Sequence, residues 1–190
     1  MYCEVIDDFI PKIDQDRLLN IIGEENFPWA YNHHTIYSEN SKPQMVHSFV
    51  HQGEFDMGDR NLFQFIKGIL PFPEWDTHEL FRCKFNLNLA LRDTKIITPH
   101  IDGSSKFKDG VVYLYYVEDS DGPTRIWPSI ESDGKSTWND KKHTIKRFFP
   151  MKIQPKKGRV VKMSHLTWHS SDVPRKFKRR IVGNFLFVNR

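Results

Sequence analysis

The spacing of apolar positions changes part-way along the chain, and the change divides it into two kinds of structure. Up to about residue 80, helical spacings alternate with short extended pieces. Val5 to Phe9 reads as a short strand, and Pro11 stands just before a helix whose first turn suits Asp14 and Asp16. Leu18, Leu19, Ile21 and Ile22 give that helix an apolar stripe, and Gly23 is a reasonable stop. The stretch FPWAYNHH (27–34) reads as a loop. Met45, His47, Phe49 and His51 then alternate with Val46, Ser48 and Val50 as a strand. A second helix is predicted where Leu62, Phe65, Ile66, Ile69 and Leu70 recur at steps of three and four, with Pro71 and Pro73 ending it.

From there the period is two. Phe81, Cys83, Phe85, Leu87, Leu89 and Leu91 alternate with Arg82, Lys84, Asn86, Asn88 and Arg92, the cleanest strand signal in the sequence. Further strands are predicted at 110–117, 123–127, 144–149, 159–163 and 180–188, separated by the turn clusters SDGP, SDGK and QPKKG. No helical pattern interrupts them. Helices first and then a run of strands predict a mainly β (α+β) fold, an antiparallel sandwich or barrel with helices packed on one side.

A length of 190 residues suits one well-buried core, so a single domain over 1–190 is expected, with 1–79 as support and 80–190 as the β core. Charge is unevenly spread. Residues 1–80 carry 14 acidic and 5 basic side chains, and residues 81–190 carry 10 and 23, within a total of +4. That asymmetry points either to complementarity within the molecule or to a basic face for anionic partners, and solvated surface is the default for charge runs. Much of the excess lies in a basic insertion at about 129–157, with Lys135, Lys141, Lys142, Lys146, Arg147, Lys152, Lys156 and Lys157. Cys3 and Cys83 form no metal or redox spacing, which fits a reducing compartment. The acidic opening lacks the basic segment of a signal peptide, and no apolar run reaches the roughly 20 residues of a membrane span. A soluble cytoplasmic protein without a membrane partner is expected; oligomeric state is not legible.

The candidate chemistry begins at His100-Ile101-Asp102, just after the strand-like KIIT. Positions two apart on extended chain project to one side, so an imidazole and a carboxylate can reach the same ion, with Asp102 expected to be solvent-accessible. A second imidazole completes the two-histidine, one-carboxylate face that leaves positions open on octahedral iron. His169, in HLTWHSS and 67 residues after Asp102, is the best candidate, with His165 and His143 as alternatives. His33, His34, His47, His51 and His78 read as surface or hydrogen-bonded core histidines. Trp127 and Trp168 either flank the pocket or belong to ordinary core.

The order in which these parts follow one another carries a resemblance. After His100-x-Asp102 come a Gly/Ser loop, the aromatic strand VVYLYYV, a Gly turn and TRIWP. Then follow GRVVKMS, WHSS, a basic residue about ten positions past the histidine, and the apolar strand IVGNFLFV. Over about 80–190 this resembles the double-stranded β-helix (jelly-roll, cupin-like barrel) of the 2-oxoglutarate and Fe(II)-dependent dioxygenases. Among these it is most similar to the prolyl-4-hydroxylase-like branch, which includes phage and bacterial forms. The resemblance implies that His100, Asp102 and His169 ligate Fe(II). It implies that Arg179 or Arg180 binds the distal carboxylate of 2-oxoglutarate, Arg179 slightly preferred on spacing. Tyr116 would assist, while Tyr113 and Tyr115 pack on the other face. O2 would be the oxidant, with ascorbate a further candidate cofactor. The implied reaction hydroxylates a C–H bond of a peptide, amino acid or small molecule with release of succinate and CO2, in the host-cell cytoplasm if the chain is phage-encoded.

Two other functions fit the basic second half. One is hydroxylation or demethylation of nucleic-acid bases, and the other is non-catalytic nucleic-acid binding on the same barrel.

Overall fold

A computed structural model of the chain describes residues 3–33, 42–56, 59–91, 98–130, 132–135, 141 and 148–189. The elements run β1 (Cys3–Ile6), α1 (Lys12–Ile22), β2 (Ala30–Asn32), β3 (Gln44–His51), β4 (Glu54–Phe55), α2 (Arg60–Ile69), a 3₁₀ turn (Pro73–Trp75), β5 (Glu79–Leu89), β6 (Asp109–Tyr116), β7 (Thr124–Trp127), β8 (Met151–Ile153), β9 (Val160–Ser164), β10 (Trp168–Ser171) and β11 (Arg179–Asn189).

The larger sheet has the order β1-β9-β6-β11-β5-β3-β2, with β4 on β3, and the smaller has the order β10-β7-β8. Every pairing among the described strands is antiparallel. Each face of the larger sheet buries its own apolar set. Outward-pointing Phe49, Cys83, Phe85, Leu87, Tyr113, Tyr115, Ile181, Phe185 and Phe187 pack against Leu18 and Ile22 of α1 and Ile66 of α2. Between the sheets, Val112, Leu114, Tyr116, Val161, Met163, Val182, Leu186 and Val188 meet Ile126 and Ile153. This is the expected double-stranded β-helix with helices buttressing one face. Tyr113 and Tyr115 lie with the buttress and Tyr116 lies inside, as strand alternation requires.

The sequence and the structure differ in two places. FPWAYNHH contains β2, three exposed residues paired to β3. β8 and β10 are strands too short to give a period, and β10 takes in the segment read as a loop around His169. The predicted strand 144–149 lies mostly outside the described residues, as do KIIT up to residue 97, His34, His143, Lys142, Lys146 and Arg147.

The period of β5 leaves open which way its polar side faces. An alternating strand in an antiparallel sheet commonly turns its polar side to water. Here Cys83, Phe85 and Leu87 face the helical buttress. Cross-strand neighbours share a face, and Arg82, Lys84, Asn86 and Asn88 stand opposite Leu186, Asn184, Val182 and Arg180 of β11. The polar side of β5 therefore lines the inside of the barrel.

Part of the charge asymmetry is met within the molecule: Asp7 binds Lys156 and Arg159, and Asp16 binds Lys157. Within the basic half, Glu118 binds Arg179. Buried Glu74, on the 3₁₀ turn, accepts from Tyr113 Oη at 2.5 Å and Lys162 Nζ at 3.0 Å, fastening the buttress to β6 and β9. Burial works to raise the Glu74 carboxyl, but the Tyr113 hydroxyl and the Lys162 ammonium hold it below the ordinary value. Its contribution is therefore present above the unfolded carboxylate range and is lost as pH falls through the lower folded value. Tyr113→Phe is expected to destabilise the protein by about 1.5–3 kcal/mol at neutral pH. Urea denaturation at neutral and acid pH checks this: the gap to wild type should shrink once Glu74 protonates.

Candidate metal centre

Residues distant in sequence meet here through backbone pairing. The backbone N–H of His100 donates to the carbonyl of His169 at 2.8 Å, and that of His169 to the carbonyl of His100 at 2.9 Å. The other edge of β10 pairs with β7, bringing His169 opposite Ile126. Two residues exchanging both bonds point their side chains to one face, and the imidazole centroids lie 4.4 Å apart. Asp102, two residues beyond His100, joins them. Its Oδ2 is 3.4 Å from His169 Nε2, and its Oδ1 is 4.0 Å from His100 Nε2.

All three donor atoms lie within 4.8 Å of one another, the one such group among the described residues. Bonds of about 2.0–2.2 Å from a divalent metal to nitrogen or oxygen hold two donors at most about 4.4 Å apart. The two measured pairs fall inside that limit.

The protonation of the donors suits an ion. His169 Nδ1–H donates to Thr167 O at 2.9 Å and His100 Nδ1–H to Thr98 O at 3.4 Å. These carbonyls select the tautomer that leaves both Nε2 lone pairs bare. Burial, with His169 alongside, pushes the His100 imidazole down to about 3, so it is neutral at physiological pH. Burial would raise the Asp102 carboxyl, but Arg82 first and then His169 hold it well below its usual value. The site thus presents one carboxylate and a neutral His100.

Asp102 is not the solvent-accessible ligand expected from sequence, since its side chain is 5% exposed. Arg82 Nη2 donates to Asp102 Oδ1 and to the Asp102 backbone carbonyl, both at 3.0 Å, and Asn184 Nδ2 donates to Asp102 Oδ2 at 2.9 Å. Behind it, Gly103 N–H donates to His165 O at 2.9 Å, and a Cβ on Gly103 would fall 2.1 Å from the His165 ring. His165 therefore props the loop. Its Nδ1 bonds to Gly110 O at 3.0 Å, and it is no member of the cluster. Buried His47, bonded to Pro28 O and packed between Phe27 and Phe49, is a core histidine. Trp127 and Trp168 are buried and pack with Ile130 and Ile101 as ordinary core, on the face of the smaller sheet opposite to the one that carries His169 and Ile126.

The two candidate arginines part company. Arg180, 4% exposed, enters the barrel: its Nη2 donates to Thr124 Oγ1 at 2.8 Å, and its guanidinium lies 5.6 Å from the Tyr116 ring centroid. Tyr116 Oη donates to the same Thr124 Oγ1 at 2.6 Å. Thr124 Oγ1 accepts both bonds, so its own hydroxyl proton remains to be donated. Arg179 faces the other way. It pairs with Glu118 at 3.1 Å and donates to Gly23 O at 2.9 Å at the end of α1. Adjacent residues on β11 take opposite faces, so Arg179, slightly preferred on spacing, lies on the outer face and Arg180 on the inner one.

Arg82, Thr124, Asn184 and Asn88 were not singled out in the sequence. Asn184 had a usable signal, as a lone amide within the apolar run IVGNFLFV. Several inner-wall polar atoms have no hydrogen-bond partner among the described residues: Arg180 Nε, Asn88 Nδ2, Asn86 Oδ1 and Asn184 Oδ1. Buried polar atoms are nearly always satisfied, so this wall has the character of a ligand chamber. Asp102→Ala leaves Arg82 unmatched and should cost about 1–3 kcal/mol of stability, read by chemical denaturation of the metal-free protein.

No family model matches the sequence, and no curated protein matches it. Solved structures do. The chain is similar to a Pseudomonas putida prolyl-4-hydroxylase (TM-score 0.57, 13% identity, 99% of this chain and 92% of that one). It is similar to the epimerase SnoN in complex with Fe3+, alpha ketoglutarate and nogalamycin RO (0.65, 10%, 98% and 78%). It is also similar to the viral collagen prolyl hydroxylase of Paramecium Bursaria Chlorella virus-1 (0.55, 15%, 100% and 91%). At these identities the likeness establishes architecture: the chain has the fold of the 2-oxoglutarate and Fe(II) oxygenases.

Proposed function

We propose that the protein is an Fe(II)- and 2-oxoglutarate-dependent dioxygenase that hydroxylates a substrate C–H bond, with His100, Asp102 and His169 as metal ligands. The observation that carries this reading is the convergence of two Nε2 lone pairs and one low-pKa carboxylate inside a barrel that also buries an arginine with an unused donor. The likeness to prolyl hydroxylases, and to an epimerase that holds Fe3+ with alpha ketoglutarate, supports it.

Arg180 would bind the distal carboxylate of 2-oxoglutarate, together with the Thr124 hydroxyl held by Tyr116. A guanidinium suits the task because it is planar and stays charged when buried. Iron with 2-oxoglutarate and O2 supplies the oxidising power for C–H hydroxylation when bound there, with succinate and CO2 released. The chain's own contribution is orientation and shelter. Thr98 and Thr167 carbonyls fix the imidazoles, and Arg82 and Asn184 fix the carboxylate and cover it from solvent. The substrate would be a peptide, amino acid or other small molecule. Nucleic acid is the weaker reading, because Lys156, Lys157, Arg159, Lys162 and Arg179 are matched by the chain's own carboxylates. Two free cysteines, one buried, support a cytoplasmic setting.

Calorimetric titration of the Mn(II)-loaded protein with 2-oxoglutarate tests the assignment. Arg180→Gln should weaken binding by about 10- to 150-fold, the equivalent of one charge-assisted hydrogen-bonding group. Arg179→Gln should leave it within about twofold. Equal, mild effects from both would remove the carboxylate role. His169→Ala should abolish Mn(II) binding and, with Fe(II), 2-oxoglutarate and ascorbate present, succinate formation.

A further inference from the structure

The inner wall holds one cation that the proposed reaction does not use. Lys84, in the middle of β5, stands between Ser48 of β3 and Asn184 of β11 on the face that lines the chamber. It is partly buried and has no hydrogen-bond or ion-pair partner among the described residues. Burial, then the neighbouring Arg82, pull its ammonium down to about 8, and Asp102 offsets this only in part. Asp102 makes no ion pair with it, its two oxygens being engaged by Arg82 and Asn184. A desolvated cation without a counter-ion is costly unless something anionic arrives.

We propose that Lys84 is the docking point for an anionic group, a carboxylate or phosphate, carried by the substrate.

This rests on the dioxygenase reading, which also gives the charge argument. Arg82, Lys84, Arg180 and a divalent metal stand against Asp102 and a doubly charged co-substrate, so the chamber stays net positive once both are bound. A substrate anion removes that excess. Lys84 is poorly placed to serve the co-substrate. It sits four residues along β5 from Asn88, the partner of Arg180, roughly 13 Å at about 3.3 Å per residue, while a five-carbon diacid anchored at Arg180 covers about half of that. Lys84 also lies one strand over from Asn184, toward β3 and away from the β6 and β9 wall that the smaller sheet covers. There the larger sheet extends past the barrel, and Ser48, Lys84 and Asn86 are all partly exposed, as a substrate surface must be.

The test uses Mn(II) bound to the full chain with saturating N-oxalylglycine in place of 2-oxoglutarate. Inorganic phosphate and ¹³C-acetate serve as probes, and the readout is paramagnetic relaxation of their ³¹P and ¹³C signals. Wild type should relax one or both probes saturably, and the stronger effect names the anion class. Lys84→Met and Lys84→Gln should lose at least about tenfold in that saturable component, while Lys84→Arg retains it. Thermal melts confirm that the variants are folded. Equal relaxation in wild type and Lys84→Met overturns the proposal, because the probes then bind the metal or the outer surface. Weakened N-oxalylglycine binding in Lys84→Met overturns it too, by giving Lys84 to the co-substrate. Failure of wild type to bind Mn(II) or N-oxalylglycine is a separate result: it overturns the dioxygenase reading and this inference with it.

Discussion

Two backbone hydrogen bonds between His100 and His169 are the constraint on which the site depends. Side chains can be bent toward a common point, but imidazoles have few rotatable bonds and tolerate little displacement. Pairing the backbones of the two residues removes that freedom at its origin. The rest of the fold serves the pairing. β7 holds β10 from its far edge, and the packing of Ile126 and Ile153 against Val161 and Val182 fixes the distance between the sheets. Asp102 then needs only a short reach, and Arg82 and Asn184 hold it at that reach from the opposite sheet.

The charges tell the same story at larger scale. A chain acidic in front and basic behind looks, in sequence, prepared for a polyanion. In the folded molecule the halves meet: Asp7, Asp16 and Glu74 of the first lie against Lys156, Arg159, Lys157 and Lys162 of the second. Exposed pairs of this kind contribute little each, yet Glu74 is buried and ties the helical support to the sheet whose inner face bears the site.

Much of this was legible in the sequence because long strands with one distinct face declare themselves. β5 follows its period of two and α2 its apolar stripe, whereas Ile21 of the stripe expected on α1 is exposed, and the three clustered residues were found from spacing and from the order of the strands. The short strands were not. β8 has three residues and β10 four, too few for a period, so His169 read as loop. The choice between Arg179 and Arg180 stayed open for a related reason. From Ile181 to Val188 β11 is buried on both sides and apolar except for Gly183 and Asn184, and a strand without alternation does not announce which side is inward. Asp102 was expected in solvent because nothing in His-x-Asp reveals that an arginine twenty positions earlier will cover it.

On β5 the alternation has a further effect. Odd positions 83, 85 and 87 hold the barrel to its helices, and even positions 82, 84, 86 and 88 face the chamber. Chemistry and cohesion are thereby interleaved along one strand without sharing a side chain. Replacements at 84 and 86 can alter the chamber's lining while the apolar contacts to the helices stay as they are, whereas Arg82 is tied to the loop of Asp102.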